Sequence, residues 1–231
     1  MLVSHMDRPR NDLHWIRAPR QERTHQSLER LLDVAEALLR DKDFDDIHVR
    51  DIAERSDTSV AAFYRRFKDK DALLHALHER GCEEAFATAD DALSSDRWQN
   101  ADIAEILFAF FPFLIEVLRP KESLYRAIYQ RAISDEEMRE RSMKVSRHLV
   151  ARLSELLIAR RDEITHPDPL AAVPFALIQA IALLMQHYTV GVRELGPSPM
   201  GDDFIARELA TSCLAYLGVA HPHASFEGAR P

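Results

Sequence analysis

The apolar positions of this chain recur at helical intervals almost from end to end. Leu28, Leu31, Leu32, Ala35, Leu38 and Leu39 form one 3.6-residue stripe, which predicts a helix from about 21 to 40. The run Asp41-Lys42-Asp43-Phe44 breaks it. Val49, Ile52 and Ala53 mark a short second helix. Ser59 opens a third, in which Phe63 and Phe67 face inward one turn apart. The Ser59 hydroxyl can accept a free first-turn amide, so it is a natural N-cap. Asp69 can do the same for a fourth helix through Leu73, Leu74 and Leu77 toward Ala92.

Helical periods continue over about 100–118, 122–133, 135–163, 169–194 and 202–218, with Pro120, Pro167, Pro169, Pro197 and Pro199 at the joints. No alternating strand pattern stands out. The expected fold class is therefore all-α. Two short helices joined tightly after a longer one form the helix-turn-helix pattern.

Composition sharpens this picture. Only six glycines occur in 231 residues, the first at Gly81, which disfavours hairpins. The net charge is −8, but residues 1–80 carry fifteen Lys/Arg against sixteen Asp/Glu. The acidic excess therefore lies in the rest of the chain, and a local basic surface near the N-terminus stays possible. Arg8, Arg10, Arg17 and Arg20 make residues 1–20 a flexible basic arm; residues 221–231 read as a disordered tail.

Two isolated cysteines, Cys82 and Cys213, imply neither a disulfide framework nor a thiolate zinc site. They fit a reducing cytoplasm, the expected location, and no apolar signal segment opens the sequence. The apolar run 169–185 carries Pro174 and Gln179 and is short of the roughly 20 residues of a spanning helix. A core or interface helix is expected there, and no membrane.

Residues 28–74 resemble the N-terminal DNA-binding domain of the TetR (tetracycline-repressor-like) family. The resemblance rests on Val49-Arg50-Asp51-Ile52-Ala53, on Ser59, and above all on the run from Phe63-Tyr64-Arg65-Arg66-Phe67 through Lys70 to Leu73-Leu74. It implies an N-terminal helix-turn-helix DNA-binding domain (residues 21–68) and a helical ligand-binding and dimerisation body (69–220). The implied protein is a transcriptional regulator, and by resemblance a repressor.

The residues agree with that resemblance on chemical grounds. A recognition helix needs an apolar side that anchors it and a small or polar side that enters the major groove. Phe63 and Phe67 supply the anchor. Ser59, Val60, Ala61, Ala62, Arg65 and Arg66 are the candidates for the DNA side. Arg65, Val60 and Ala61 are candidates for base contacts, the small side chains meeting thymine methyls. The Tyr64 hydroxyl and Arg50 are phosphate candidates. Lys70, at the start of the fourth helix, is expected to hold its ammonium beside the free first-turn amides as an anion site.

The chain departs from the family pattern at Asp43 and Asp57, where glycine is usual, and at His48, where Thr or Ser usually caps the second helix. Both aspartates are expected at positive φ, which Asp tolerates better than most residues.

In the body, the almost wholly apolar stretch 170–192 and the stripe Ile205, Leu209, Cys213, Tyr216 and Leu217 suggest a four-helix interface across a two-fold axis. A homodimer of that kind reads a near-palindromic double-stranded operator. Phe108 and Phe111, beside Pro112, suggest the apolar wall of a small-molecule effector pocket. Tyr125, Arg126, Tyr129, Arg147, His148 and Gln186 are its polar candidates, and Arg126 or Arg147 would meet an anionic ligand.

An enzyme is disfavoured: the sequence has no Gly-rich phosphate loop, no Gly-x-Ser-x-Gly elbow and no His-Glu-x-x-His. His75 and His78 read as surface or rim residues. No catalytic residue, metal ligand or cofactor is expected. The alternative, motivated by the two aspartates, is a ligand sensor or interaction module that has lost DNA binding.

Overall fold

A computed structural model describes residues 22–190 and 200–220. The expected arm and tail lie outside the described residues. Among the described residues all regular structure is helical: α1 (Glu22–Leu39), α2 (Val49–Arg55), α3 (Val60–Arg66), α4 (Lys70–Ala92), α5 (Ile103–Leu118), α6 (Glu122–Ala132), α7 (Glu136–Ile158), α8 (Pro169–Thr189) and α9 (Asp202–Leu217). The chain divides into two compact units after Gly81, inside α4.

In the first unit the Leu28–Leu39 stripe of α1 is buried with Phe44, Ile47, Ile52, Phe63, Phe67, Leu73, Leu74 and Leu77. One charged side chain lies among them. Arg80 is 5% exposed. Its guanidinium meets Glu29 at 3.3 Å, Asp33 at 2.7 Å and Glu36 at 2.9 Å. The three carboxylates fall on one face of α1 at helical spacing, so one buried cation ties α4 to nearly two turns of α1.

His75 and His78 are buried, at 7% and 4% exposure, which corrects their expected place on the surface. Residues 72–78 are buried without interruption, so this stretch of α4 leaves no rim for them. No group of three or more metal-ligating side chains occurs among the described residues.

In the second unit α8 packs against α6, α7 and α9, and α5 packs against α9. Local signals set most helix starts. Asp102 and Glu105 form a reciprocal capping box on α5, Asp135 caps α7, and Asp168 caps α8 ahead of Pro169. The helix expected over 135–163 is shorter: α7 ends at Ile158 and a separate 3-10 turn spans Arg161–Glu163. Arg160 lies between them with its guanidinium bonded to the carbonyls of Leu156, Ala101 and Trp98, which closes the α4–α5 connection onto the end of α7. The end of α9 is fixed by Gly218 at φ +66°. A Cβ there would fall 2.1 Å from Thr165 Oγ1, which donates to the Gly218 carbonyl.

Helix α8, with 21 residues, is long and apolar enough to cross a membrane by length and composition alone. Its inner side, Ala172, Val173, Ala176, Leu177, Ala180, Leu184 and Tyr188, belongs to the core of the second unit. Ile205, Leu209, Cys213 and Leu217 of α9 are buried in the same core. The stripe expected to face a symmetry mate thus packs within the chain, apart from Tyr216. What α8 leaves exposed is a second apolar side carrying Phe175, Ile178 and Leu183. Burial pushes the Cys213 thiol up to about 12, and both cysteines are buried thiols outside any disulfide.

Candidate nucleic-acid interface

The geometry of α3 starts in the turn before it. Asp57 stands at φ +53°, the left-handed region. The Thr58 amide donates to Ala53 O at 2.9 Å and the Asp57 amide to Glu54 O at 3.4 Å. This is a Schellman closure of α2, with aspartate in the position that glycine fills most readily. Asp43 does not share that conformation: its φ is −68° and its backbone is extended. The expectation of positive φ holds for Asp57 and is corrected for Asp43, because a 3-10 turn (Phe44–Asp46) takes up the α1–α2 connection. His48 takes the N-cap position of α2 without a side-chain hydrogen bond.

Ser59 then caps α3, its Oγ accepting from the Ala62 amide at 3.0 Å. Phe63 and Phe67 are completely buried, their ring centroids 5.1 Å apart. They lock the rotation of this short helix about its axis. The opposite side presents Ser59, Val60, Ala61, Tyr64 and Arg65, all exposed. Tyr64 rests edge-on against Phe63 with half its surface free, so its ring is oriented and its hydroxyl is accessible. Ala62 and Arg66 sit at the edge, half-buried. Burial holds the Arg66 guanidinium below its ordinary value, as expected for a cation partly withdrawn from water.

The other two basic candidates are already engaged. Arg50 is exposed, but its Nε donates to Glu54 one turn on at 2.7 Å, and that bond raises its pKa. The pair is solvent-exposed and easily exchanged. Lys70 is a correction. Its Nζ does not lie beside the first-turn amides of α4. It donates to the carbonyls of Phe44 at 2.8 Å, Asp45 at 3.0 Å and Ile47 at 3.1 Å, and lies 4.7 Å from the Phe44 ring centroid. An ammonium has three protons, and all three are engaged. Among the α4 first-turn amides, that of Ala72 is taken by Asp69 at 2.8 Å. The Lys70 clamp and the Arg80 cluster were missed from sequence; the acidic stripe Glu29, Asp33, Glu36 on α1 was the available signal for the second.

The eight effector candidates differ in burial and in their partners. Phe111 is completely buried in the core of the second unit, with Phe108 and Tyr125 half-buried against it. Tyr129, Arg147 and Gln186 are exposed. The two cations expected to meet an anionic ligand have carboxylates instead: Arg126 pairs with Glu122 at 2.7 Å and Arg147 with Glu140. His148 Nε2 lies 2.8 Å from Asp90 Oδ1, its ring against Phe86, and ties the last turns of α4 to α7.

Residues 31–77 match the family model of bacterial regulatory proteins, tetR family. No curated protein matches the chain. Among solved structures, a protein from Mesorhizobium loti assigned to the TetR family of transcriptional regulators is similar at 17% identity and a TM-score of 0.66, covering 86% of this chain and 98% of that one. A transcriptional regulator from Rhodococcus sp. Rha1 is similar at 19% identity and 0.63, over 83% and 96% of the two chains. The TetR-family regulator PfmR from Thermus thermophilus is similar at 21% and 0.57, over 83% and 99%.

Proposed function

We propose that this chain, whose residues 31–77 match the family model of bacterial regulatory proteins, tetR family, is a sequence-specific repressor released from its operator by a small-molecule effector. The observation that carries this is the exposed side of α3, with Val60, Ala61, Tyr64 and Arg65 outward and Phe63 and Phe67 fully buried behind them. A helix fixed in this way can enter the major groove with no entropic cost of ordering itself there. Arg65 offers the bidentate fork suited to guanine, Val60 and Ala61 the apolar contact suited to thymine methyls, and Tyr64 a phosphate donor.

The regulator works as a homodimer on a near-palindromic operator in the cytoplasm. The exposed apolar side of α8, with Phe175 at 48%, Ile178 at 54% and Leu183 at 45% exposure, supports a self-complementary two-fold contact. The effector binds the helical body. Its signal has a direct covalent route, because α4 continues from the DNA-binding domain into that body as one helix. Binding that favours one setting of α4 would change the spacing of the paired α3 helices. The chain acts through binding and has no catalytic step.

Fluorescence anisotropy with the DNA upstream of its own gene tests the reading. Tight, salt-sensitive binding is expected, weakened by Tyr64→Phe and by Arg65→Ala. Equal affinity for random duplexes of the same length overturns it. That outcome would favour a ligand sensor that has lost DNA binding, a reading to which the carboxylate of Asp57 in the α2–α3 turn and the occupied Lys70 ammonium lend support. Sedimentation equilibrium tests the dimer: Ile178→Asp should halve the mass.

A further inference from the structure

We propose that the polar contact for the effector is His187, and that it receives a ligand hydroxyl on an otherwise apolar skeleton. This rests on the reading that the body binds an effector. His187 lies in the last turn of α8 and is 1% exposed. Neither of its ring nitrogens has a hydrogen-bond partner among the described residues. A buried polar group in that state has lost its hydration without compensation, and folded proteins rarely keep one without a use.

The surroundings decide which ligand chemistry fits. Asp202 Oδ1 is 3.5 Å from His187 Nε2, and Asp202 Oδ2 is 3.6 Å from Arg119 Nη1. Asp202 is the first residue of α9, whose N-cap, Gly201, supplies no side chain, so the carboxylate sits at the positive end of that helix. A carboxylate on the Nε2 side favours the tautomer with its hydrogen on Nε2. Nδ1 then carries the lone pair and is an acceptor in need of a donor. Leu184 and Tyr188, flanking His187 on α8, and Ile205 and Ala206, in the first turn of α9, are buried groups of the core. The Tyr188 ring meets the imidazole edge-on at 5.1 Å.

An alcohol or phenol answers this arrangement. Its O–H satisfies Nδ1 and its carbon frame lies among apolar side chains. A carboxylate ligand would face Asp202 and be repelled. An ammonium would lose its hydration for one hydrogen bond, which costs more than the bond returns. A hydrocarbon of the same shape would leave Nδ1 unmet. The neighbouring Gln186, picked from sequence as a polar candidate, is exposed and cannot play this part from inside the body.

The test uses the full chain labelled with 15N in its eleven histidines. Two-bond proton–nitrogen spectra distinguish Nδ1 from Nε2, and His187→Leu assigns the His187 signal. The probes are 1-naphthol and its near-isostere 1-methylnaphthalene. The expected result is a shift of the His187 Nδ1 signal with 1-naphthol only, and binding of 1-naphthol about tenfold tighter than of 1-methylnaphthalene, the contribution of one net hydrogen bond. That preference should fall to within about twofold in His187→Leu. If circular dichroism shows that this variant does not fold, Asp202→Asn serves instead: it keeps the ring, removes the orienting charge, and should reduce the preference too.

Equal affinity for the two probes, or a His187 Nδ1 signal unmoved by 1-naphthol, overturns the proposal. Probe binding that shifts other residues of the body alone overturns the His187 assignment and leaves the effector reading standing. Absence of specific operator binding by the unmodified chain would sink the regulator reading without touching this one.

Discussion

Lys70 Nζ lies 2.8 Å from the carbonyl oxygen of Phe44, a residue 26 positions earlier in the chain. The same ammonium holds the carbonyls of Asp45 and Ile47. The connection between α1 and α2 is therefore closed by a side chain from the start of α4. A lysine expected beside the first-turn amides of α4 instead holds the turn that leads into α2 and α3.

Lys70→Met keeps the aliphatic stem and removes the charge. It takes the charged donor from three carbonyls, of which that of Phe44 keeps the Ile47 amide at 3.2 Å, and a loss of about 2–3 kcal/mol is expected from bonds to a charged donor. Urea unfolding measures it. Operator affinity should drop while the slope of its logarithm against salt stays unchanged. A slope reduced by about one unit would mean that Lys70 neutralises a phosphate after all.

Arg80→Met should be the more damaging change. It leaves Glu29, Asp33 and Glu36, whose side chains are 25%, 68% and 25% exposed, without their shared cation. Removing one side of a fully buried ion cluster typically costs about 3–5 kcal/mol, and the water that reaches these carboxylates brings the expected loss to the lower end, about 3 kcal/mol. The melting temperature of the N-terminal unit reports it. Near-wild-type melting would show that the carboxylates escape to water.

Asp57→Gly should stabilise the chain. A non-glycine residue in the left-handed region carries strain of about 1–2 kcal/mol, part of which glycine returns as flexibility of the unfolded chain. A gain of about 0.5–1 kcal/mol is expected in chemical denaturation. The change also removes a carboxylate from the turn that leads into α3, so operator affinity should rise. Asp57→Val should move the stability the other way.

Two glycines give opposite forecasts for one substitution. Gly218→Ala forces a Cβ to 2.1 Å from Thr165 Oγ1 at φ +66° and should destabilise the end of α9. Gly81→Ala meets nothing within 4 Å inside α4. It should raise stability by about 0.5–1 kcal/mol, the usual helix preference for alanine over glycine. Thermal unfolding of both variants is a direct check.

Much of the helical plan was legible. The caps Ser59 and Asp69 act over three residues, and the Phe63–Phe67 pair lies within one turn, so spacing alone exposed them. Asp57 was readable because its left-handed conformation is a property of a local turn. Asp43 was misjudged by the same logic, since a 3-10 turn replaced the expected closure of α1. The effector site was not legible in that way. Aromatic and basic residues on successive helices look alike in sequence whether they line a cavity, fill a core or pair with a nearby glutamate, as Phe111, Arg126 and Arg147 show.

The sequence by itself determined the helices, where most of them start, and which side of α3 is anchored, because hydrogen-bonded turns and apolar periodicity are short-range properties of the chain. Only the tertiary structure decided where Lys70 and Arg80 place their charge, that His75, His78 and His187 are buried, and that α9 turns its apolar stripe inward while α8 keeps an apolar side exposed. Each of these depends on partners brought together from distant parts of the chain, and the free energy of a buried charge or an unpaired imidazole is set by what surrounds it, which no local pattern encodes.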